Sequence, residues 1–373
     1  MGKMSYLAEN ALNAVCPYFT MFPLEYPIKV LTKFKKDNPI VMGPFCGRGT
    51  SLFAARKMGM DAWGIDSSPV AVAIAKAKMA SCQPQEVVDL AAQILSSESE
   101  VDVPNSAFFR WAYHKSTLKK ICQIREGLLG LDYETNASVI LRAVCLGALH
   151  GPLTKTVETA SYFSNQMPRT FSSKPDYSVK YWKERNMKSR KVDVLDVISR
   201  RVHRLHGLSD QITGSFDQIT QGDSRLNESF KSARNDFTTI ITSPPYYGMK
   251  TYVQDQWLRN WFLGGPAFVD YSINDQLDHG DQSSFAESLG RVWKNMASSE
   301  ATDLRMFVRF GIIPSAKVDA KMLFNESLES SGVSWRVIST RHAKSASEGK
   351  RQAGQMKSNS QAAVEFDFHV LRT

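Results

Sequence analysis

The sequence predicts an α/β protein, an open parallel sheet interrupted by a mainly helical insertion. Three observations predict it. A strand–helix–strand–helix series occupies residues 39–80, helical periodicity without a convincing strand fills 81–209, and strand signals return beyond residue 215. Apolar strands alternating with helical stretches build parallel sheets, because each crossover needs a helix to cover the sheet face.

The elements follow in order. Pro39-Ile40-Val41-Met42 is a short apolar strand that runs into Gly43-Pro44-Phe45-Cys46-Gly47-Arg48-Gly49-Thr50 and a helical stretch at 51–58. Asp61-Ala62-Trp63-Gly64-Ile65-Asp66 is a second strand ending in an acid. Ser67-Ser68-Pro69 opens the next helix, with serine to cap it and proline suited to its first turn. Helical periodicity follows at 85–95, 108–129, 137–149 and 192–205. Strands are expected at 217–222, 237–242, 304–310, 335–339 and 364–371, the last two as an antiparallel pair joined by the polar, basic loop 344–361. Residues 1–80 and 210–373 thus form one sheet domain, and 81–209 a helical insertion.

Composition narrows the function. The chain has 373 residues and a net charge of +9, a balance that favours polyanionic partners. Its five cysteines show no metal-ligand spacing and read as reduced thiols of a cytoplasmic protein. The seven histidines form no ligand cluster, so no metal is expected. No apolar run reaches the length of a membrane span, and the first residues lack a signal-peptide core.

The chemistry concentrates after the strand at 237–242. Ser243-Pro244-Pro245-Tyr246 ends it abruptly, because proline cannot continue a sheet ladder. Open α/β sheets bind ligands at such carboxyl ends. A hydroxyl (Ser243), a carbonyl without an internal partner (Pro244) and an aromatic face (Tyr246) suit a flat, aminated heterocycle better than a phosphate or a metal. Gly47 and Gly49 lie between strand and helix, where each can adopt φ > 0 and let a ligand touch the backbone. The loop is not a phosphate-binding P-loop, since no Lys-Ser/Thr follows. Asp66 is placed to accept two ribose hydroxyls, or else serves as a helix N-terminal acid. Asp223, in Gly222-Asp223-Ser224-Arg225, is as well suited to a turn as to accepting from an adenine amine.

Together these motifs resemble the S-adenosylmethionine-dependent DNA methyltransferases of the exocyclic-amine class. Pro44-Phe45-Cys46-Gly47-Arg48-Gly49-Thr50 is similar to the family's cofactor loop, and Gly64-Ile65-Asp66 and Gly222-Asp223-Ser224 to its next acidic elements. Thr242-Ser243-Pro244-Pro245-Tyr246 resembles its catalytic element, in the serine form commoner among cytosine-N4 enzymes. Residues 18–30, with Phe19, Phe22 and Pro23, resemble the segment that packs on the methionine end of the cofactor. The resemblance implies a Rossmann-like class I methyltransferase sheet and S-adenosyl-L-methionine as cofactor. Phe19, Phe22, Pro44, Phe45, Gly47, Gly49, Thr50, Asp66, Ser67 and Asp223 would hold that cofactor, and Ser243, Pro244, Pro245 and Tyr246 would be catalytic. Gly43 stands where the family usually has an aspartate that helps hold the methionine moiety.

An in-line methyl transfer to an aryl amine needs alignment more than a strong base. Hydrogen bonds to Ser243 and Pro244 would turn the amine's lone pair toward the methyl, and Tyr246 would stack on a base flipped from the duplex. Carbon-5 methylation would need a nucleophilic cysteine after a proline, and no Pro-Cys exists here.

Residues 165–206 hold eleven Lys/Arg against four acids, most of the chain's excess of +9. Arg169, Lys174, Lys180, Lys183, Arg185, Lys188, Arg190 and Lys191 are candidate contacts to nucleic acid. With Phe171, Tyr177, Tyr181 and Trp182 interleaved, they suit phosphate neutralisation and base stacking. A solvated helix face over an aromatic satellite core fits the same pattern. Trp257 and Trp261 line a base pocket or pack a helix. The expected partner is double-stranded DNA, read in part by the insertion, with room for partner restriction or defence proteins in a restriction–modification setting. The alternatives are N6-adenine methylation of DNA, base-amine methylation of RNA, and a binding protein without turnover, which Gly43 motivates.

Overall fold

The computed structural model describes residues 10–18, 23–97, 100–167, 174–205, 207–210, 214–231, 233, 235–248, 254–272, 277, 280–313, 316, 318–343 and 364–373. The chain forms two compact units. One comprises Phe19–Ala75, Ile212–Tyr252 and Asn274–Thr373; the other Met1–Tyr18, Lys76–Gln211 and Val253–Ile273. The second contains the 81–209 stretch read from the sequence as an insertion, together with the segments Met1–Tyr18 and Val253–Ile273.

The first unit carries the sheet. Its strands are β1 (Val41–Gly43), β2 (Ala62–Asp66), β3 (Ile219–Gln221), β4 (Thr239–Thr242), β5 (Arg305–Ile312), β6 (Trp335–His342) and β7 (Val364–Arg372). They lie in the order β3-β2-β1-β4-β5-β7-β6. β1 to β5 pair in parallel, and β7 runs antiparallel to β5 and β6. This is the open, Rossmann-like α/β sheet expected from the sequence. β1 pairs with both β2 and β4, so the chain leaves β1 in opposite directions on its two sides. That reversal is the topological switch point, outside which open α/β sheets place ligands.

Central strands of such a sheet are covered on both faces and read as apolar runs. In β5, Met306, Val308, Phe310 and Ile312 point one way, into a core with Trp293, Phe324 and Phe368. The helices Gln282–Met296 and Ala320–Glu329 supply it, and neither was among the elements expected from the sequence. Trp293 Nε1 donates to Ser327 Oγ at 3.0 Å, so the buried indole leaves no unpaired donor. Phe307, Arg309 and Gly311 point the other way. There the helix Glu25–Lys33 and Phe34 cover the first two, with Tyr26 on Arg309 at 4.6 Å and Phe34 against Phe307 at 5.6 Å.

In the second unit the helices are Pro84–Ser96, Ala107–Ala112, Lys115–Leu129, Asn136–Ala148, Pro175–Glu184, Val194–Val202 and Trp257–Phe262. The periodic stretch 108–129 is two helices rather than one. His114 is extended between them, and its ring nitrogen caps the second by accepting from Ser116 N. Trp257 and Trp261 are 3% exposed and pack on Phe108 and Phe109 at 4.9 and 4.7 Å. They are core, so the base-pocket alternative is withdrawn. No helix among the described residues is long and apolar enough to cross a membrane.

Candidate active site

The glycine loop leaves β1 at the switch point. Gly47 and Gly49 take φ of +52° and +71°. Gly49 also needs its missing side chain, since a Cβ there would lie 3.0 Å from Ala75 Cβ. Two hydroxyls fix the loop from neighbouring strand ends. Ser224 Oγ donates to the Pro44 carbonyl, and Thr242 Oγ1 donates to the Phe45 carbonyl at 3.2 Å. Both hydroxyl residues are buried, at 4% and 1% exposure. Asn295 Nδ2 in turn holds the Ser224 carbonyl at 3.0 Å. The residue types beside Asp223 and Ser243 were the only sequence signal for these latches.

Asp66 closes the other side of the loop. Its Oδ2 accepts from Gly47 N at 2.8 Å and its Oδ1 from Ser68 N at 3.0 Å. Ser68 Oγ accepts from Ala71 N at 3.3 Å, the serine cap expected for the helix Pro69–Lys78. A carboxylate offers about four lone-pair sites. Two are taken at Asp66, and the other two could receive a pair of hydroxyls. Burial pushes the Asp66 carboxyl above its usual range, against the pull of the Ser68 and Gly47 N–H groups.

The other expected cofactor contacts divide. Gly47 has open space where a Cβ would be. Pro44 is buried, Phe45 packs against the sheet core, and Thr50 is 3% exposed at the helix start. Ser67 is exposed beside Asp66, and its carbonyl accepts from Gln221 Nε2 at 3.5 Å. Asp223 forms a turn, its Oδ1 accepting from Arg225 N at 2.9 Å, while Arg225 Nη2 pairs with its Oδ2 at 2.6 Å. Burial acts to raise this carboxyl, but Arg225 outweighs it and holds it below the usual range. Asp223 thus makes the turn that the sequence allowed, with a guanidinium two residues on against its carboxylate. Phe19 and Phe22 lie outside the described residues.

Ser243, Pro244, Pro245 and Tyr246 form a bulge. β4 pairs with β5 up to Thr242 opposite Val308, and the strands touch again at Tyr247 opposite Ile312. Between those points this element has one residue more than Arg309, Phe310 and Gly311 opposite it. Two prolines without N–H groups cannot hold a ladder, so the extra residue is accommodated there. Ser243 is half-buried, and neither its hydroxyl nor the Pro244 carbonyl has a hydrogen-bond partner among the described residues. Tyr246 differs from expectation: it is 5% exposed, and its hydroxyl donates to Glu365 Oε1. Its ring is therefore a wall of the site, with little of its surface open.

The basic segment belongs to the helical unit. Lys174, Lys180, Lys183, Arg185, Lys188 and Lys191 are exposed. Arg185 lies over Tyr181 at 4.1 Å, and Tyr177 is 46% exposed. Arg190 is half-buried and donates to the Thr154 carbonyl at 2.9 Å, which fixes the unit's own backbone. Trp182 is fully buried, so the aromatic satellite core accounts for it. Arg169 and Phe171 lie outside the described residues. No group of three metal-ligating side chains occurs among the described residues.

No protein-family model matches the chain, and no curated protein does. Among solved structures, the chain is similar to the rRNA methyltransferase aviRa from Streptomyces viridochromogenes, with 11% identity and a TM-score of 0.32 over 98% of this chain and 94% of that one. A likeness of this depth says nothing of what this chain binds.

Proposed function

We propose that the protein is an S-adenosylmethionine-dependent DNA methyltransferase acting on the exocyclic amine of a base turned out of the duplex, with cytosine N4 favoured by the serine. The observation that carries this is the bulge at the switch point, which offers two acceptors without internal partners, Ser243 Oγ and Pro244 O. An aryl amine has two N–H donors, and two fixed acceptors set the direction of its lone pair. Such positioning is worth up to roughly 7–11 kcal/mol of a barrier. The same acceptors stabilise the positive charge that grows on nitrogen as the bond forms.

The residues present fit the cofactor. Gly47 leaves open space against its backbone, and Asp66 keeps two lone pairs for a ribose diol. S-adenosylmethionine, when bound, supplies an electrophilic methyl on a sulfonium. Gly43 offers no carboxylate to the methionine ammonium, so Asp66 and the loop would contribute most of the affinity. The exposed cations of the helical unit, Lys174, Lys180, Lys183, Arg185, Lys188 and Lys191, would neutralise backbone phosphates.

The test is methyl-labelled cofactor incubated with mixed-sequence duplex DNA and, in parallel, with RNA, followed by nucleoside analysis. Label in N4-methylcytosine is expected. Label in N6-methyladenine or only in RNA would reassign the acceptor, and no transfer to either nucleic acid would sink the enzyme reading.

A pH dependence also follows. Ribose hydroxyls need the ionised carboxylate of Asp66, and burial raises the pH at which that group takes up a proton. Cofactor affinity should therefore fall on acidification, beginning at a higher pH than an ordinary aspartate would give. Calorimetry should show that slope in the parent protein, and weak, pH-independent binding in Asp66→Asn.

A further inference from the structure

β7 begins beside the bulge. Its register sets Glu365 opposite Gly311 and Asp367 opposite Arg309. Side chains alternate along a strand, so Glu365, Asp367, Gly311 and Arg309 share one sheet face. Tyr246 is held there at three points. Its hydroxyl donates to Glu365 Oε1. Its ring rests on Gly311, where a Cβ would lie 3.0 Å from Tyr246 Cζ. The bridge between Tyr247 and Ile312 fixes the backbone just beyond it.

Glu365 does more than fill a gap. Its Oε2 is buried without a hydrogen-bond partner among the described residues, as is Arg309 Nη1. Leaving such atoms unpaired is costly, and an apolar side chain at this position would avoid the cost. What a carboxylate adds is a strong, directional acceptor for the Tyr246 hydroxyl. With only 5% of Tyr246 exposed, the tilt of the ring decides how much of it an incoming base can meet.

We propose that Glu365 is a positioning residue of the acceptor site: its carboxylate sets the Tyr246 hydroxyl, and thereby the ring surface that receives the base. The proposal rests on the methyltransferase reading above. Glu365→Ala removes the acceptor, Glu365→Gln keeps one, and Gly311→Ala crowds the contact from below, its Cβ falling 3.0 Å from Tyr246 Cζ and 3.2 Å from Glu365 Cγ.

The measurements are kcat, KM for duplex DNA and cofactor Kd by calorimetry. Glu365→Ala should raise KM for DNA about tenfold, equivalent to ~1.4 kcal/mol, with cofactor Kd unchanged. Glu365→Gln should stay near the parent, and Gly311→Ala should raise KM as Glu365→Ala does. Should Glu365→Ala not fold, Gly311→Ala carries the same expectation. Unchanged KM in the alanine variants overturns the proposal, as does an equal loss in Glu365→Gln, or cofactor Kd weakened in step with KM. Absence of methyl transfer by the parent protein overturns the methyltransferase reading and this proposal together, whereas transfer with a normal KM in Glu365→Ala overturns this proposal alone.

Discussion

Ser243→Ala should lower kcat for methyl transfer by on the order of 10²-fold, the effect of deleting one fixed polar group aimed at transition-state charge. Cofactor Kd and thermal stability should hardly move. The Ser243 hydroxyl has no hydrogen-bond partner among the described residues, and the side chain is half-buried, so its removal leaves no group stranded. Thr242 provides the contrast one residue earlier. Its hydroxyl holds the Phe45 carbonyl, so Thr242→Val should weaken cofactor binding by loosening the glycine loop. Single-turnover transfer with saturating cofactor, beside calorimetry, separates the two. A Ser243→Ala protein with parental kcat, or one whose defect lies wholly in cofactor Kd, would remove Ser243 from the acceptor site.

What the sequence made legible was local. The glycine loop, the acid ending β2 and the proline stop after β4 each carry their conformational reason within a few residues. Strand β4 ends where Pro244 removes the N–H, and Gly49 stands where φ is positive. What it hid depends on register and on partners far along the chain. Nothing near Tyr246 marks Glu365 as its hydrogen-bond acceptor, because that pairing needs β7 aligned on β5. Asp223 was ambiguous in sequence, and its turn shows only once Arg225 is seen against its carboxylate. Spacing alone could not divide Trp257 and Trp261 between pocket and core; burial against Phe108 and Phe109 did. The basic segment splits for the same reason: Arg190 binds a backbone carbonyl, while Lys180 stays in solvent.

The largest expected stability effect lies beneath the same wall of the site. Arg309 is 5% exposed, and its Nε and Nη2 donate to the two oxygens of Asp367 at 2.7 and 2.9 Å. Tyr26 stacks on the guanidinium at 4.6 Å, and burial, aided by the charge of Asp367, pushes its phenol well above the usual range. Asp367→Ala should therefore destabilise by about 3 kcal/mol, because it leaves a buried cation without its counter-charge. In a unit of this size that corresponds to roughly 6–12 °C in Tm. Glu365 also acts electrostatically on Arg309, which places the expectation at the lower end of the range for breaking a buried pair. Removing both charges should cost far less. Arg309→Met combined with Asp367→Leu replaces the pair with apolar groups, and its stability should return to within about 1 kcal/mol of the parent, less the cation–π contact with Tyr26. Denaturant titrations of Arg309→Met, Asp367→Leu and the double give the coupling directly. Additive losses would show that the pair does not act as a unit. A double variant that is stable, with Tyr246 still bonded to Glu365, would separate the pair that holds the fold from the carboxylate that serves the acceptor.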